Sequence, residues 1–215
     1  MSTRQIDRPG TALLRRLREP APPQPEACAF CGQRLPGGHR HLVDVEERSL
    51  ACACTACGLL FHQDGAAGGR YRPVPDRYLV DPEHSVTDAV WDSLRIPVST
   101  VFFLRNAAQE RPIALYPSPA GATESELDED DWQAVLGGSP LAALLEPDVE
   151  ALLLRRSEGH NRAYLVPVDA CYELVGRMRL HWQGFDGGAE ARAELDAYFD
   201  RLDARARPVG TGGAP

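Results

Sequence analysis

The sequence predicts an α+β protein, in which a small cysteine-bearing ribbon precedes an antiparallel sheet with helices packed on one side. Two observations lead to this fold class. The first is a pair of C-x-x-C-G units, which begin at Cys28 and Cys54. The second is the order of the later segments, in which two pairs of β-rich runs alternate with segments of helical periodicity. An apolar fraction of 43% over 215 residues is sufficient for a buried core.

Composition divides the chain into four predicted regions. Residues 1–27 are basic and rich in proline, and we expect them to form a flexible N-terminal segment. Residues 28–64 contain the paired cysteines and form a zinc-ribbon-like module. Residues 71–206 form the α+β domain, and the glycine-rich stretch 65–70 is expected to be a flexible joint before it. Residues 207–215 lack apolar periodicity and are expected to be a disordered tail.

Four runs rich in β-branched and aromatic residues predict two hairpins in the α+β domain. Residues 96–105 and 111–116 form the first pair, and residues 149–155 and 163–168 form the second. A short polar segment separates the two runs of each pair. Since such a connection suits neighbouring strands, we expect both pairs to be antiparallel.

Three helices are predicted around these hairpins. Thr123 and Glu126 have the spacing of a capping box, which would open a helix through Leu136 that ends at Gly137. Asp169 would cap a second helix, and a third lies near the C-terminus. An apolar stripe on each of these two helices predicts the buried face. The stripes consist of Cys171, Leu174, Val175, Met178 and Trp182 in the second helix and Ala191, Leu195, Tyr198, Phe199 and Leu202 in the third.

The two C-x-x-C-G units predict a metal site with four thiolate ligands. Two residues between paired cysteines allow one tight turn to direct both sulfurs to an ion about 2.3 Å away. The glycine that follows lets backbone N–H groups approach the thiolates. Residues 41–45 and 49–52 are expected to form the hairpin that brings the two turns together. The predicted ligands are Cys28, Cys31, Cys54 and Cys57.

A disulfide pair is the simpler alternative to a metal site, and a cytoplasmic setting argues against it. Zinc is the ion that this pattern favours, because zinc needs only four thiolates and no assembly apparatus. The same spacing is also the rubredoxin pattern for a single iron, so iron stays open as the alternative. Cys52 lies two residues before Cys54 and could be a fifth thiol near the metal, although a small buried side chain behind the ribbon is the simpler interpretation. His39, His41 and His62 flank the cysteine turns and could replace or orient a ligand, but surface histidines are the commoner case.

Composition excludes several catalytic chemistries. All 23 basic residues are arginines, so the chain has no P-loop lysine, no lysine Schiff base and no lysine general base. The motifs G-x-S-x-G and H-E-x-x-H are absent from the sequence. The acidic run at 124–131 is explained by a position at the start of a helix, where carboxylates favour the helix dipole. We therefore assign no catalytic and no cofactor-binding residue.

Charge and hydropathy predict a cytoplasmic protein that binds no nucleic acid. Residues 78–215 carry 12 arginines against 23 acidic residues, and this excess of negative charge repels phosphate. No apolar run approaches the roughly 20 residues that cross a bilayer. The N-terminus also lacks the apolar core of a signal peptide.

Eight short strings of the sequence together resemble a known family. They are CAFC at 28–31, HRHLVD at 39–44, CACTACGLLF at 52–61, YRPVPDRY at 71–78, YPSPAGATES at 116–125, PDVEAL at 147–152, VPVDACYELVG at 166–176 and GFDGG at 184–188. The chain resembles an uncharacterised family of small proteins of GC-rich bacteria, which are encoded beside the structural and maturation genes of high-affinity nickel–iron uptake hydrogenases. The resemblance implies a role in assembling, maturing or supporting such an enzyme, with a hydrogenase subunit or maturation factor as partner.

These observations favour a non-catalytic accessory or assembly protein with a structural zinc ribbon. Two alternatives stay open. One is a rubredoxin-like mononuclear iron electron carrier that serves the hydrogenase, and the other is an enzyme with an unrecognised site in the α+β domain. Colour separates the accessory protein from the electron carrier, since a zinc tetrathiolate is colourless and a ferric one is red.

Overall fold

The structure is a computed structural model that describes seven ranges of the chain. These are residues 25–63, 65–83, 86–107, 111–125, 129–157, 160–184 and 187–210. The predicted flexible segment 1–27 therefore lies outside the described residues except for its last three. Glu126 of the predicted capping box lies outside them as well.

The cysteine-bearing part of the chain forms a small three-stranded antiparallel sheet. Strands β1 (Arg40–Asp44) and β2 (Ser49–Ala53) make the predicted hairpin, in which His41 stands opposite Cys52. Strand β3 (Tyr71–Pro73) pairs with the other edge of β1. The small sheet thus takes its third strand from the range predicted for the larger domain.

A seven-stranded sheet forms the larger part. Its strands are β4 (Leu79–Asp81), β5 (Thr100–Asn106), β6 (Arg111–Ser118), β7 (Gly121–Ser125), β8 (Glu150–Ser157), β9 (His160–Pro167) and β10 (Arg207–Pro208). They lie in the order β10-β4-β9-β8-β5-β6-β7. Both predicted hairpins are present as the antiparallel pairs β5–β6 and β8–β9. Every neighbouring pair is antiparallel except β10 and β4, which are parallel.

The predicted capping box at Thr123 is wrong. Thr123 belongs to β7, where it pairs with Tyr116, and its hydroxyl donates a hydrogen bond to the Ser118 hydroxyl at 2.8 Å. The chain turns back at Gly121, whose φ of 125° favours glycine, and extends the sheet before the helix begins. Helix α3 (Glu129–Leu136) therefore starts later than expected, although it ends before Gly137 as predicted.

The prediction of a disordered tail from residue 207 is also wrong for its first residues. Arg207 and Pro208 form β10, and the Val209 N–H donates to the Val80 carbonyl at 2.8 Å. The Val209 side chain packs against the core on one face of the sheet. Residues 207–209 are held in place by pairing with the free edge of β4 and by the burial of one apolar side chain.

Helices cover both faces of the large sheet, not one face as predicted. Side chains alternate along β5, so Val101 and Phe103 enter one core whereas Phe102 enters the other. The long helices α5 (Val168–His181) and α6 (Gly188–Arg205) pack on the Phe102 face. Helix α3 packs on the opposite face with two shorter helices. These are α2 (Asp88–Ser93) and α4 (Pro140–Leu144).

The apolar stripes of α5 and α6 are buried as predicted. Four of the five stripe residues of α5 and all five of α6 belong to the core, and Trp182 is partly buried against it. Asp169 does not cap α5, because the helix begins at Val168 and Pro167 occupies the capping position. Its carboxylate instead accepts a hydrogen bond from His41 of the small sheet. Within the described part of the chain, no helix combines the length and apolarity that crossing a bilayer requires.

Contacts of three kinds join the small sheet to the large one. Val43 packs against Val149 and Val168 in a small apolar cluster. Arg72 Nη1 donates to the Pro147 carbonyl at 2.6 Å. The third contact is the hydrogen bond between His41 and Asp169 described above.

The predicted joint at 65–70 contains a short 3₁₀ turn, Ala66–Gly69. Arg70 follows it and donates from Nε and Nη2 to Asp44 Oδ2 at 2.9 and 2.7 Å. This hydrogen-bonded pair lowers the pKa of Asp44. The joint is therefore tied to the small sheet by an ion pair that composition did not reveal.

Candidate metal centre

The structure brings the four predicted cysteine ligands together. The Sγ atoms of Cys28, Cys31, Cys54 and Cys57 all lie within 4.8 Å of one another, and Cys31 Sγ is 3.8 Å from Cys54 Sγ. Four sulfurs bound tetrahedrally about 2.3 Å from an ion are about 3.8 Å apart. The cluster thus has the dimensions of a tetrathiolate site and could bind a metal ion, and its occupancy stays a prediction.

The first cysteine turn depends on a left-handed glycine. The Gly32 N–H donates to the Cys28 carbonyl at 2.9 Å, and Gly32 has a φ of 73°. Such a backbone conformation favours glycine because it has no Cβ. A β-bridge between Ala27 and Arg34 closes the turn at its base. The left-handed φ therefore explains the glycine at this position, whereas its predicted role in bringing N–H groups to the thiolates stays a prediction.

The second cysteine turn is built as the start of a helix. Cys54 is the N-cap of α1 (Thr55–Leu59), and its sulfur accepts a hydrogen bond from the Cys57 N–H at 3.4 Å. Gly58 lies inside this helix and has no positive φ. A Cβ there would lie 3.4 Å from Arg40 Cδ, which is an ordinary van der Waals contact, so neither packing nor backbone conformation requires glycine here.

The crowded thiols ionise unequally. Burial opposes ionisation of Cys28, yet hydrogen bonds from the backbones of Cys54, Phe30 and Cys31 outweigh it and lower the pKa of Cys28 to about 6. The hydrogen bond with Cys54 is the main cause that raises the pKa of Cys57 to about 12. Cys28 therefore loses its proton more readily than Cys57. A bound divalent cation would favour the thiolate form of all its cysteine ligands.

Cys52 lies outside this four-cysteine cluster. It is half-buried beside His39 and His41, and these three side chains offer ligand atoms that lie within 4.8 Å of one another. Burial raises the pKa of the Cys52 thiol, and the hydrogen bond with Asp169 raises the pKa of His41. His62 is not part of this group, and its Nε2 lies 3.5 Å from Arg40 Nη1.

Sequence reasoning treated Cys52 and the two histidines separately and missed this second group. The signal that could have revealed it is the H-x-H repeat at 39–41, because alternate residues of an extended segment share a face. The pairing of His41 with Cys52 across β1 and β2 could not be read without the register. Cys171, by contrast, is fully buried in α5, as its place on the apolar stripe predicted, and burial raises its pKa well above the usual value.

A cavity of about 890 Å³ lies beside the second group, between the small sheet and α5. His39, His41 and Asp169 line it together with Arg72 and Arg205. Its lining carries both signs of charge, since Asp76, Glu146 and Glu173 also contribute.

Three exposed apolar side chains flank the cysteines of the cluster in sequence. Phe30 lies between the first two cysteines, and Leu59 and Leu60 follow the last one. Their exposed fractions are 36%, 57% and 70%. The Phe30 ring contacts those of Phe61 and Tyr71, with centroids 4.9 and 5.1 Å away. We refer to Phe30, Leu59 and Leu60 as the apolar tip.

Together, the fold and the cluster define an α+β protein whose N-terminal ribbon carries four cysteines that could hold a metal ion. The chain belongs to the family of unknown function DUF5947, which matches residues 27–206. This match agrees with the expected uncharacterised family and spans the small sheet and nearly all of the large one. No curated protein and no solved structure matches the chain.

Proposed function

We propose that this protein is a non-catalytic accessory or assembly factor of a nickel–iron hydrogenase, which docks to a partner through a ribbon held by a structural zinc ion. The observation that carries the proposal is the apolar tip beside the four-cysteine cluster. Leu59 and Leu60 are largely exposed, although large apolar side chains normally avoid water. Exposed apolar groups that cluster at one place are typical of interaction sites.

The cluster gives the apolar tip a fixed shape. Phe30 lies within the first cysteine turn, and Leu59 is the last residue of the helix that begins after Cys54. An ion bound by all four cysteines would hold both turns in place. A preorganised surface loses less conformational entropy on binding, so this arrangement favours docking.

Four thiolates and no further ligand are typical of closed, structural zinc sites. The six free cysteines suit a reducing compartment, which supports a cytoplasmic location. The hydrogenase partner is supported by the family resemblance given by the strings from CAFC to GFDGG, not by the geometry. Iron in the same cluster would instead favour the electron-carrier alternative.

A gene deletion in a host that expresses the hydrogenase tests this proposal. We expect the deletion to lose hydrogen uptake and correctly processed large subunit, and the wild-type gene to restore both. A Leu60→Arg copy should fail to restore them, because a charge at the apolar tip opposes burial by a partner. The matched control is Leu180→Arg, since Leu180 is 83% exposed in the last turn of α5, where a positive charge is tolerated.

Normal uptake in the deletion strain would contradict the accessory role. Equal failure of Leu60→Arg and Leu180→Arg would contradict the assignment of docking to the apolar tip. A purified protein that is red and contains iron would favour the electron carrier.

A further inference from the structure

We propose that His39, His41 and Cys52 form a second metal site, which binds a divalent transition ion of the zinc class and leaves one coordination position for a ligand from the adjacent cavity. This site is distinct from the four-cysteine cluster. The inference goes beyond the proposed function and does not depend on a hydrogenase partner.

The small sheet places the three ligands together. His41 on β1 stands directly opposite Cys52 on β2, and His39 precedes β1 with its ring centroid 4.7 Å from that of His41. The ligand atoms of all three residues lie within 4.8 Å of one another. Because strand pairing fixes two of the three positions, little rearrangement is needed for an ion to bind.

The His39 ring is oriented as a metal ligand. Its side chain is only 6% exposed, and its Nδ1 lies 3.1 Å from the Pro36 carbonyl, to which it can only donate. Nε2 then carries the lone pair, and this atom is buried and has no hydrogen-bond partner among the described residues. A buried polar atom without a partner is costly. A metal ion at the centre of the group would supply the missing partner.

The His41 ring is oriented in the same way by a different residue. Its Nδ1 lies 2.7 Å from Asp169 Oδ2, which belongs to the first turn of α5. This contact leaves Nε2 as the free nitrogen. A histidine ligand commonly donates its other ring N–H to a carboxylate or a backbone carbonyl, and this group contains one example of each. Asp169 is thus a positioning residue of the second site.

The donor set indicates the kind of ion. Two imidazole nitrogens and one thiolate suit zinc and neighbouring transition ions, whereas magnesium and calcium prefer oxygen. Binding would displace the proton of the Cys52 thiol, since the thiolate is the ligand. Three protein ligands leave a tetrahedral ion one position for water or another small ligand, and the cavity lined by His39 and His41 provides the space.

Titration of metal-free protein with Co²⁺ and Zn²⁺ under reducing, anaerobic conditions tests the proposal. We expect wild-type protein to bind two equivalents and Cys52→Ser to bind one. His62→Gln is the matched control and should keep two, because His62 lines the same cavity but lies outside the group. The intense cobalt–thiolate absorption of the four-cysteine cluster should persist in Cys52→Ser and shows that the ribbon is folded.

Asp169→Asn provides a second, independent test. It leaves all three ligands in place, and we expect affinity for the second equivalent to fall about 10- to 100-fold while the first is unchanged. This variant decides the question if Cys52→Ser fails to fold. The proposal of a second site would be overturned if wild-type protein bound a single equivalent of metal ion. It would also be overturned if Asp169→Asn bound the second equivalent with wild-type affinity.

Discussion

Removal of the metal ion from the four-cysteine cluster is expected to unfold the small sheet and to leave the seven-stranded sheet folded. The small sheet buries few apolar side chains of its own, chiefly Leu42, Val43 and Ala53. Structural zinc contributes on the order of 10–16 kcal/mol to the folding of a small module that binds it. The large sheet has an extensive core on each face and does not depend on the ion.

Hydrogen exchange after chelation under reducing conditions measures this effect. Backbone amides of residues 40–53 should lose protection, whereas those of β8 and α5 should keep it. All three tryptophans, Trp91, Trp132 and Trp182, belong to the larger domain, so their fluorescence should change little. Cys54→Ser should reproduce the result without a chelator, and Cys52→Ser should not. Simultaneous loss of protection in both sheets would show that they fold as one unit.

Replacement of Arg77 by methionine is expected to lower the free energy of unfolding by about 3 kcal/mol. Arg77 donates from Nε and Nη2 to the two carboxylate oxygens of Glu150, at 2.8 and 2.6 Å. Glu150 is fully buried, and its Oε2 also accepts a hydrogen bond from the Glu146 N–H at 3.0 Å. Without the guanidinium, a buried carboxylate lacks its counterion. The expected loss lies at the lower end of the usual range for buried pairs because Arg77 is 34% exposed.

Urea-induced unfolding of the metal-loaded protein, followed by tryptophan fluorescence, measures this change. The double variant Arg77→Met/Glu150→Met should recover most of the loss, because no buried charge remains. Arg177→Met is the control and should change stability by less than about 1 kcal/mol, since Arg177 and Glu173 form an exposed pair on α5. Equal effects of Arg77→Met and Arg177→Met would contradict a special role for the buried carboxylate.

Elements with a local signal could be predicted from the sequence. The cysteine turns depend on spacing within four residues, and the stripes of α5 and α6 repeat over three or more turns. The hairpins could also be predicted, because each consists of two β-rich runs that are close in sequence. Such features do not require knowledge of the rest of the fold.

Features that depend on distant partners could not be predicted in this way. Helices α2 and α4 have six and five residues, too few for a clear apolar period, so these two members of the second helical layer were missed. Strand β10 exists because a free edge of β4 is available to it. The second histidine–cysteine group depends on strand register and on Asp169, which lies 128 residues from His41.

X-ray absorption at the metal edge of the Cys52→Ser protein tests the central claim most directly. This variant removes the second site and leaves the four-cysteine cluster as the place for an ion. We expect one zinc ion with four sulfur neighbours at about 2.3 Å and no nitrogen or oxygen in the first shell. A protein without bound metal, or an ion with fewer than four sulfur ligands, would contradict binding by Cys28, Cys31, Cys54 and Cys57.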